Sequence, residues 1–148
     1  MFNRHDLQQS VIDVIERIEG KPNNMNYPND PSNSPSVPYA TVAFINSFQI
    51  DQLSDGPTLN NDLITIDIIT KKGEGTKEMN GYISAFLNAL HPAIVYSGFR
   101  AISIPDVVIL GEDSNGYRAN LTLTVQYLVT APKPEPINLN EEDLLNER

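Results

Sequence analysis

The chain has 148 residues, of which 40% are hydrophobic and 20% are charged, a balance typical of one soluble globular domain with a single core. Its formal net charge is −9, which argues against a protein that holds nucleic acid by its phosphates. There is no cysteine and the two histidines are far apart, so we expect no disulfide and no metal or other cofactor. No segment has the run of about 18 apolar residues typical of a membrane helix, so no membrane association is expected.

The first predicted element is an amphipathic helix over residues 3–19. Asn3 is the expected N-cap, and Asp6 lies in the first turn, where a negative charge is favoured by the helix dipole. Gly20 and Pro22 are expected to stop the helix. Its apolar stripe comprises Leu7, Val11, Val14, Ile15 and Ile18.

Residues 21–38 contain five prolines among asparagine, aspartate and serine residues. Such a segment buries little, and we expect it to propagate neither a helix nor a strand ladder. A connection of this length without regular structure is uncommon inside a compact domain. Two interpretations stay open: a mobile loop, or an arm that docks on another protein.

Two strands are predicted next. Residues 39–47 are rich in β-branched and aromatic side chains, and residues 63–70 carry apolar side chains on both faces, which is typical of a strand inside a sheet. The sequence Asp55-Gly56-Pro57 predicts a turn within a rather long hairpin connection over residues 48–61.

A second amphipathic helix follows the turn formed by residues 71–76. Thr76 is the expected N-cap, Glu78 lies in the first turn, and His91-Pro92 is expected to end the helix, with His91 donating to the last carbonyl groups. The apolar stripe comprises Met79, Tyr82, Ile83, Phe86, Leu87 and Leu90.

Residues 99–110 predict a third extended segment, in which Pro105 favours an edge position or a bulge. Asp113-Ser114-Asn115-Gly116 is a turn signal. From Tyr117 to Val129 seven apolar residues alternate with polar ones, which predicts a long antiparallel strand with one polar side. That side faces either water or a neighbouring subunit.

The expected fold class is α+β: a mostly antiparallel sheet of about four strands with two main helices packed on it, in the order α-β-β-α-β-β. Residues 1–130 are expected to form a single domain, with the proline-rich arm 21–38 inserted. Residues 131–148 form an acidic, proline-containing C-terminal extension, whose last turns would be helical only against a partner.

The turn at residues 73–77 invites a phosphate-binding interpretation. A phosphate loop needs a longer glycine loop with Lys-Ser/Thr at the start of the helix, whereas here Thr76 precedes Lys77. Carboxylates such as Asp62 and Asp67 lack the spacing of an acid–base pair, so no catalytic residue is predicted and the chain is not expected to be an enzyme. Two alternatives stay open: a small enzyme that binds a phosphorylated ligand at 73–77, and a module that binds peptides along a sheet edge.

The strand at residues 64–69, the turn Gly73-Glu74-Gly75-Thr76 and the helix after it resemble the tail terminator and neck proteins of tailed bacteriophages. The N-terminal helix, the entry Pro38-Tyr39 to the first strand and the alternating last strand are similar as well. The resemblance therefore covers about residues 1–130 and is tightest over 62–90. It includes no catalytic motif.

The resemblance implies a structural virion protein, one subunit of a hexameric ring at the head-proximal end of the phage tail. Such a ring stops growth of the tail tube and joins the tail to the head, while DNA passes through its lumen without specific binding. The implied partners are sister copies, the tail tube protein and a head-completion or connector protein, and synthesis would take place in the cytoplasm of the host bacterium. The alternative within this class is another tail component, such as a tube or tail-completion protein.

The chain departs from the family pattern in its arm 21–38 and its acidic C-terminal extension. Those two segments and the connection 48–61 are predicted to dock against neighbouring subunits because of their length and their proline and turn content. Positions that face the lumen are expected to be acidic or neutral. The predicted assembly residues are Asp51, Asp55, Gly56, Pro57, Lys71, Lys72, Glu74, Pro132, Pro134, Leu144 and Leu145.

Overall fold

A computed structural model describes residues 3–28, 36–52, 56–73, 75–94, 96 and 98–129. It contains two helices and one mixed sheet of six strands, which confirms the α+β class and the two helices. The sheet is larger than the expected four strands, and one of its pairings is parallel. In chain order the elements are α1 (Arg4–Glu16), β1 (Asn24–Asn26), β2 (Tyr39–Gln52), β3 (Thr58–Thr70), α2 (Lys77–Ala89), β4 (Arg100–Ala101), β5 (Asp106–Asp113) and β6 (Gly116–Val129).

The sheet is built around the pairing of β3 with β6. Its antiparallel ladder runs from the pair Thr58–Val129 to the pair Thr70–Tyr117 without a shift in register. β2 pairs antiparallel with the other edge of β3, and β1 pairs parallel with the first residues of β2. β4 and β5 share the outer edge of β6, one after the other. The order is therefore β1-β2-β3-β6, followed by β4 and β5 side by side along β6.

Both helices pack on one face of this sheet, which we call the core face. On β3 that face carries Ile64, Ile66 and Ile68, which lie opposite Leu123, Leu121 and Ala119 of β6, and all six side chains are buried. The predicted period-two alternation of β6 is thus confirmed. From the helices, the core receives Leu7, Val11, Ile12, Ile15, Met79, Ile83 and Phe86.

The predicted hairpin connection over residues 48–61 was wrong for most of its length. β2 continues to Gln52 and β3 already begins at Thr58, so only residues 53–57 connect the strands. The polar run Asn60-Asn61-Asp62 looked like a loop because it lacks apolar alternation. It is a strand because β2 and β6 flank it on both sides and satisfy its backbone groups.

Two further corrections concern short strands. Asn24–Asn26 forms a ladder with β2 inside the proline-rich arm, where none was expected, and the Asn24 side chain donates to the carbonyl oxygen of Ser36 at 2.8 Å. The extended segment predicted over 99–110 is divided into β4 and β5 around Pro105, because proline has no N–H to donate to a ladder. β5 also carries a bulge between Ile109 and Gly111, in line with the expected irregular edge.

The helix ends follow from local chemistry. The Asn3 side chain accepts from the Asp6 backbone N–H, and the Asp6 carboxylate accepts from the Asn3 N–H, which is a complete capping box. α1 ends at Glu16, three residues earlier than predicted. Thr76 occupies the predicted N-cap of α2 but makes no side-chain capping bond. His91 Nδ1 accepts from the Ala93 N–H at 3.0 Å, so it closes the following turn instead of donating to the helix.

Gly116, at the start of β6, tests how closely the β5–β6 hairpin packs against the end of β3. Its φ is +145°, and a Cβ there would collide with the carbonyl oxygen of Thr70 in β3. Gly116→Ala should lower the free energy of unfolding by about 3 kcal/mol, because backbone strain and a backbone clash add. Urea denaturation at one fixed protein concentration is the measurement.

Gly111→Ala is the matched control for that substitution. Gly111 also has positive φ, but its Cβ would meet nothing within 4 Å. It should cost only about 1 kcal/mol, from strain alone. Equal losses for the two variants would show that the contact with Thr70 is unimportant.

Candidate assembly surfaces

The face of the sheet opposite the helices, which we call the polar face, is lined by hydroxyl and amide side chains. It is half-buried over most of its area, because neighbouring side chains on adjacent strands shield one another. The Asn120 amide donates to Asp67 at 2.6 Å, and the Thr122 hydroxyl donates to Asn120 at 2.9 Å. The polar face includes Thr41, Asn61, Thr65, Asp67, Asn120, Thr122, Thr124 and Gln126.

The positive charges on the polar face come from two arginines, each of which has a side-chain partner. None of the described strand residues is a lysine, and the cations on this face are Arg100 and Arg118. Arg100 donates to the Gln126 side chain from two nitrogens, at 2.6 and 3.0 Å. Arg118 Nε lies 3.1 Å from an Asp113 carboxylate oxygen, an ion pair that lacks hydrogen-bond geometry. Because Gln126 is neutral, Arg100 keeps its charge, but Asp67 and Asp106 lie on the same face, so the described strand residues of the polar face carry no net positive charge.

The flank of the sheet formed by β5 is strongly apolar. Four consecutive residues, Val107 to Leu110, are between 37% and 60% exposed, and Ile104 just before them is 56% exposed. Val107 and Ile109 lie on the core face, opposite Leu121 and Ala119, but remain exposed in the part of the chain that the structure describes. A run of exposed aliphatic residues on both faces of an edge strand is characteristic of a surface that another chain covers.

The opposite flank is the edge of β2. β1 pairs only with Tyr39, Ala40 and Thr41, so among the described residues the edge of β2 from Val42 onward has no strand partner on that side. β2 and β3 extend as a hairpin on which Phe48 and two bulge residues, Ile45 and Ile50, are about half exposed. Both flanks of the sheet thus combine open backbone with exposed apolar side chains.

The predicted assembly residues fall at opposite ends of β3. Asp51 is exposed near the end of β2, and Gly56 and Pro57 precede β3, so they mark what we call the hairpin end. Lys71 and Lys72 are exposed directly after β3. With 13 residues in β3, the two ends are separated by roughly 40 Å at about 3.3 Å per residue. The structure does not bring these residues into one site.

The other predicted assembly residues lie outside the described residues: Asp55, Glu74, Pro132, Pro134, Leu144 and Leu145. The same is true of the C-terminal extension 131–148 and of residues 29–35 in the arm.

The sequence interpretation missed β5 as a surface. Pro105 predicts an edge position or a bulge for residues 99–110, and β5 has both, but the exposure of the run Val107-Val108-Ile109-Leu110 was not predicted. An available signal was the proline directly before the run, because Pro105 indicates an edge strand, and an edge strand with apolar residues in every position exposes half of them.

The turn at 73–77 is held by a carboxylate. The Gly73 backbone N–H donates to Glu112 Oε1 at 2.6 Å, which ties the turn to the end of β5. A phosphate at this N–H would have to displace a negatively charged partner that already satisfies it. Asp62 and Asp67, two carboxylates considered for acid–base chemistry, lie on opposite faces of β3 and cannot act together.

A buried carboxylate fixes the start of α1 to the hairpin side of the core. Asp62 is fully buried; its Oδ1 accepts from the Tyr127 hydroxyl at 2.8 Å, and its Oδ2 lies 3.2 Å from Arg4 Nε. Ser47 of β2 is within 3.0 Å of the same hydroxyl. Burial raises the pKa of Tyr127 above its usual value, and the neighbouring carboxylate raises it further, so this phenol is a hydrogen-bond donor at neutral pH. The cluster joins α1, β2, β3 and β6.

A cleft of about 530 Å³ lies between the C-terminal parts of α1 and α2. Its wall is largely aliphatic, with Val14, Ile18, Ala85 and Ile94, and Tyr96 closes one side. Within the described ranges, His, Asp and Glu residues form no group of three that could hold a metal ion. The helices that the structure describes are all too short or too polar to cross a membrane.

Comparison with known proteins does not identify a family for this chain. No protein-family model matches the chain, and a search of the curated proteins gives no significant match.

Removing the buried carboxylate should measure what the cluster contributes. Asp62→Ala removes the carboxylate that accepts from the Tyr127 hydroxyl and separates Arg4 from its partner, so we expect the free energy of unfolding to fall by about 3 kcal/mol. Tyr127→Phe removes the hydrogen bonds of that hydroxyl with Asp62 and Ser47 but keeps the ion pair with Arg4, and should cost about 2 kcal/mol. Asp13→Ala, an exposed carboxylate on α1, is the control and should change stability by less than about 0.5 kcal/mol. Urea denaturation of the three variants would contradict this ranking if Asp13→Ala were as damaging as Asp62→Ala.

Proposed function

We propose that this chain is a structural subunit of a ring at the head-proximal end of a bacteriophage tail, which stops tube growth and joins the tail to the head connector. The observation that carries the proposal is the arrangement of the sheet. One face is covered by helices, the other is polar and lacks lysine among its described residues, and both flanks are open and apolar. Association through the flanks removes the most apolar surface of such a sheet from water. The polar face then stays free.

Association through two different flanks is heterologous, and such contacts form a closed ring when the rotation between copies closes. With the helices outside, the polar face lines the lumen. Six copies that each contribute β2, β3, β6 and β5 would make a barrel of 24 strands, with a backbone diameter of about 50 Å at the usual spacing and tilt. Barrels of 16–18 strands already enclose an aqueous channel, so a ring of this size has room for a polymer to pass.

The chemistry of the polar face suits the passage of DNA. Its hydroxyl and amide side chains are neutral, and the charges of Arg100 and Arg118 are balanced by Asp67 and Asp106 on the same face. A lumen of this kind offers phosphates no net counter-charge, so DNA can slide. The net charge of −9 acts in the same direction.

The two ends of the sheet would then be the axial surfaces of the ring. At the hairpin end, Phe48, Leu59 and Leu128 approach one another on the polar face, since Leu59 lies opposite Leu128 and Phe48 lies one pleat away. The other end carries Lys71 and Lys72. Two chemically different ends roughly 40 Å apart suit a subunit that contacts the tail tube on one side and the connector on the other.

Native mass spectrometry and electron microscopy of the purified chain test this function. We expect one closed ring of defined copy number, and addition of tail tube protein should give tubes capped at one end. Open-ended filaments of the chain alone would support the alternative of a tube protein. A protein that stays monomeric at high concentration and in the presence of the tube protein would contradict the proposal.

Deletion of residues 131–148 tests the proposed docking role of the extension. The ring should still form, because the sheet and both flanks are intact, but complete tails should be reduced by at least tenfold in a complementation assay. Replacing Leu144 and Leu145 by serine in the full chain is a milder variant and should reproduce much of the loss. Normal tail yield from both variants would remove the extension from the assembly surfaces.

A further inference from the structure

We propose that neighbouring copies join by direct strand pairing: the outer edge of β5, at Val107–Ile109 in one copy, pairs antiparallel with Ser47–Gln49 of β2 in the next. The sheet would then continue around the ring without interruption. This inference rests on the proposed ring and specifies the contact that closes it. The occupant of both flanks is a second copy of this chain.

The first argument is the surface that the contact covers. Six aliphatic side chains on the β5 flank are exposed, and together they leave on the order of 500 Å² of apolar surface in water, at the upper end of what the largest patch on a monomer reaches. A specific interface needs roughly 800 Å² from each partner, so this flank supplies most of one side. The six residues are Ile102, Ile104, Val107, Val108, Ile109 and Leu110.

The second argument is the match between the two regular stretches. β5 is regular over Asp106–Ile109, before its bulge at Leu110. On β2, the bulges at Ile45 and Ile50 leave Asn46–Gln49 as the regular stretch of the free edge. Both stretches are four residues long, and an even stagger pairs three residues of each. Bulges limit the pairing of an edge strand with unspecific partners, so each edge accepts only a short and defined ladder.

The third argument is strand direction. β2, β3, β6 and β5 alternate in direction across the sheet, because each successive pair is antiparallel. Copies related by rotation about an axis along the strands keep these directions. β5 of one copy therefore meets β2 of the next in the antiparallel sense, the same pairing that β5 makes with β6.

The fourth argument is the stagger between the flanks. Measured along β3, Asp106–Ile109 is level with Thr65–Ile68, whereas Asn46–Gln49 is level with Asn60–Leu63, so the two stretches differ by 65 − 60 = 5 residues. Strands of a closed barrel tilt by roughly 40°, which shifts neighbouring copies of four strands each by about five residues. In a flat sheet, this offset would prevent the two stretches from lying side by side. In a closed ring of tilted strands, an offset of this size is required.

The register follows from side-chain alternation. Directly opposite residues of a sheet share a face, so the stagger must be even, either four or six residues. A stagger of six pairs Val107, Val108 and Ile109 with Gln49, Phe48 and Ser47. Val108 then lies opposite Phe48 on the polar face, and this cross-strand pair buries two exposed apolar side chains. A stagger of four would place Val108 opposite Asn46. We assign the stagger of six.

Disulfide trapping tests the contact without a background, because the chain has no cysteine of its own. The double variant Val108→Cys/Phe48→Cys should, on mild oxidation, give a ladder of covalent multimers on a non-reducing gel, ending at the copy number of the ring. The single variants Val108→Cys and Phe48→Cys should give no ladder, since the two positions meet only each other. Val108→Cys/Asn46→Cys tests the shorter stagger, and a ladder from either double variant supports strand pairing and fixes its register.

Two outcomes would overturn the inference. The first is a covalent dimer from Val108→Cys alone, which would mean that two β5 strands meet about a two-fold axis. The second is the absence of a ladder from both double variants under conditions where the protein is a ring. In the second case the strand pairing is wrong, while the proposed function is unaffected. Conversely, if the double variant gives a ladder but loss of the protein leaves phage tails normal, the strand pairing is correct and the proposed function is wrong.

A surface variant provides an independent readout. Val108→Lys places a charge at the centre of the proposed ladder and should shift the ring to monomer at concentrations where the unaltered protein is assembled, by at least tenfold in the midpoint of association. Ile94→Lys is the control, because Ile94 is an exposed aliphatic residue at the cleft between the two helices, away from both flanks. Its ring should persist. Equal dissociation of the two variants would argue against a specific contact at β5.

Discussion

The ladder between β3 and β6 is the constraint on which the rest of the structure depends. Thirteen consecutive residue pairs hold the two strands in one register, so one face receives the buried aliphatic pairs from Ile64–Leu123 to Ile68–Ala119 and the other receives most of the hydroxyl and amide side chains. A slip of one residue would exchange the two faces and expose the core, which is why this register is strongly determined. β2, β5 and both helices take their positions from these two strands.

The unequal lengths of helices and strands leave part of the sheet uncovered. Each helix has 13 residues and is about 20 Å long, whereas β3 has the same number of residues and spans about 40 Å. α1 begins beside Asp62, where the buried carboxylate binds Arg4, and the hairpin extends beyond that point. The uncovered hairpin is therefore a consequence of this mismatch in length, whereas β5 is exposed because it lies at the lateral edge of the sheet. Association of copies would remove both from water.

The charge distribution of the described surfaces does not favour binding of nucleic acid. The acidic excess belongs to the chain as a whole, while the arginines of the polar face are held by Gln126 and Asp113. The glycine turn after β3 is occupied by Glu112, which removes the most suggestive anion site from the molecule. These local pairings fit a role in which shape and apolar contact determine partners, with little contribution from chemistry at a reactive site.

The sequence by itself determined the class and the faces: the period of 3.6 residues in both helices, the strict alternation of β6 and the capping role of Asn3 were all readable, because they depend on neighbours in the chain. It did not reveal β1, nor the continuation of β3 through Asn60 and Asn61, because those residues are strands only by virtue of the partners beside them. Nor did it show that Val107 to Leu110 is exposed, since an apolar run looks the same in a central strand and at an edge. The central position of residues 63–70 and the edge position of residues 99–110 were predicted, but only the tertiary structure decided which strands are neighbours, because strand order is set by pairing between segments far apart in the chain.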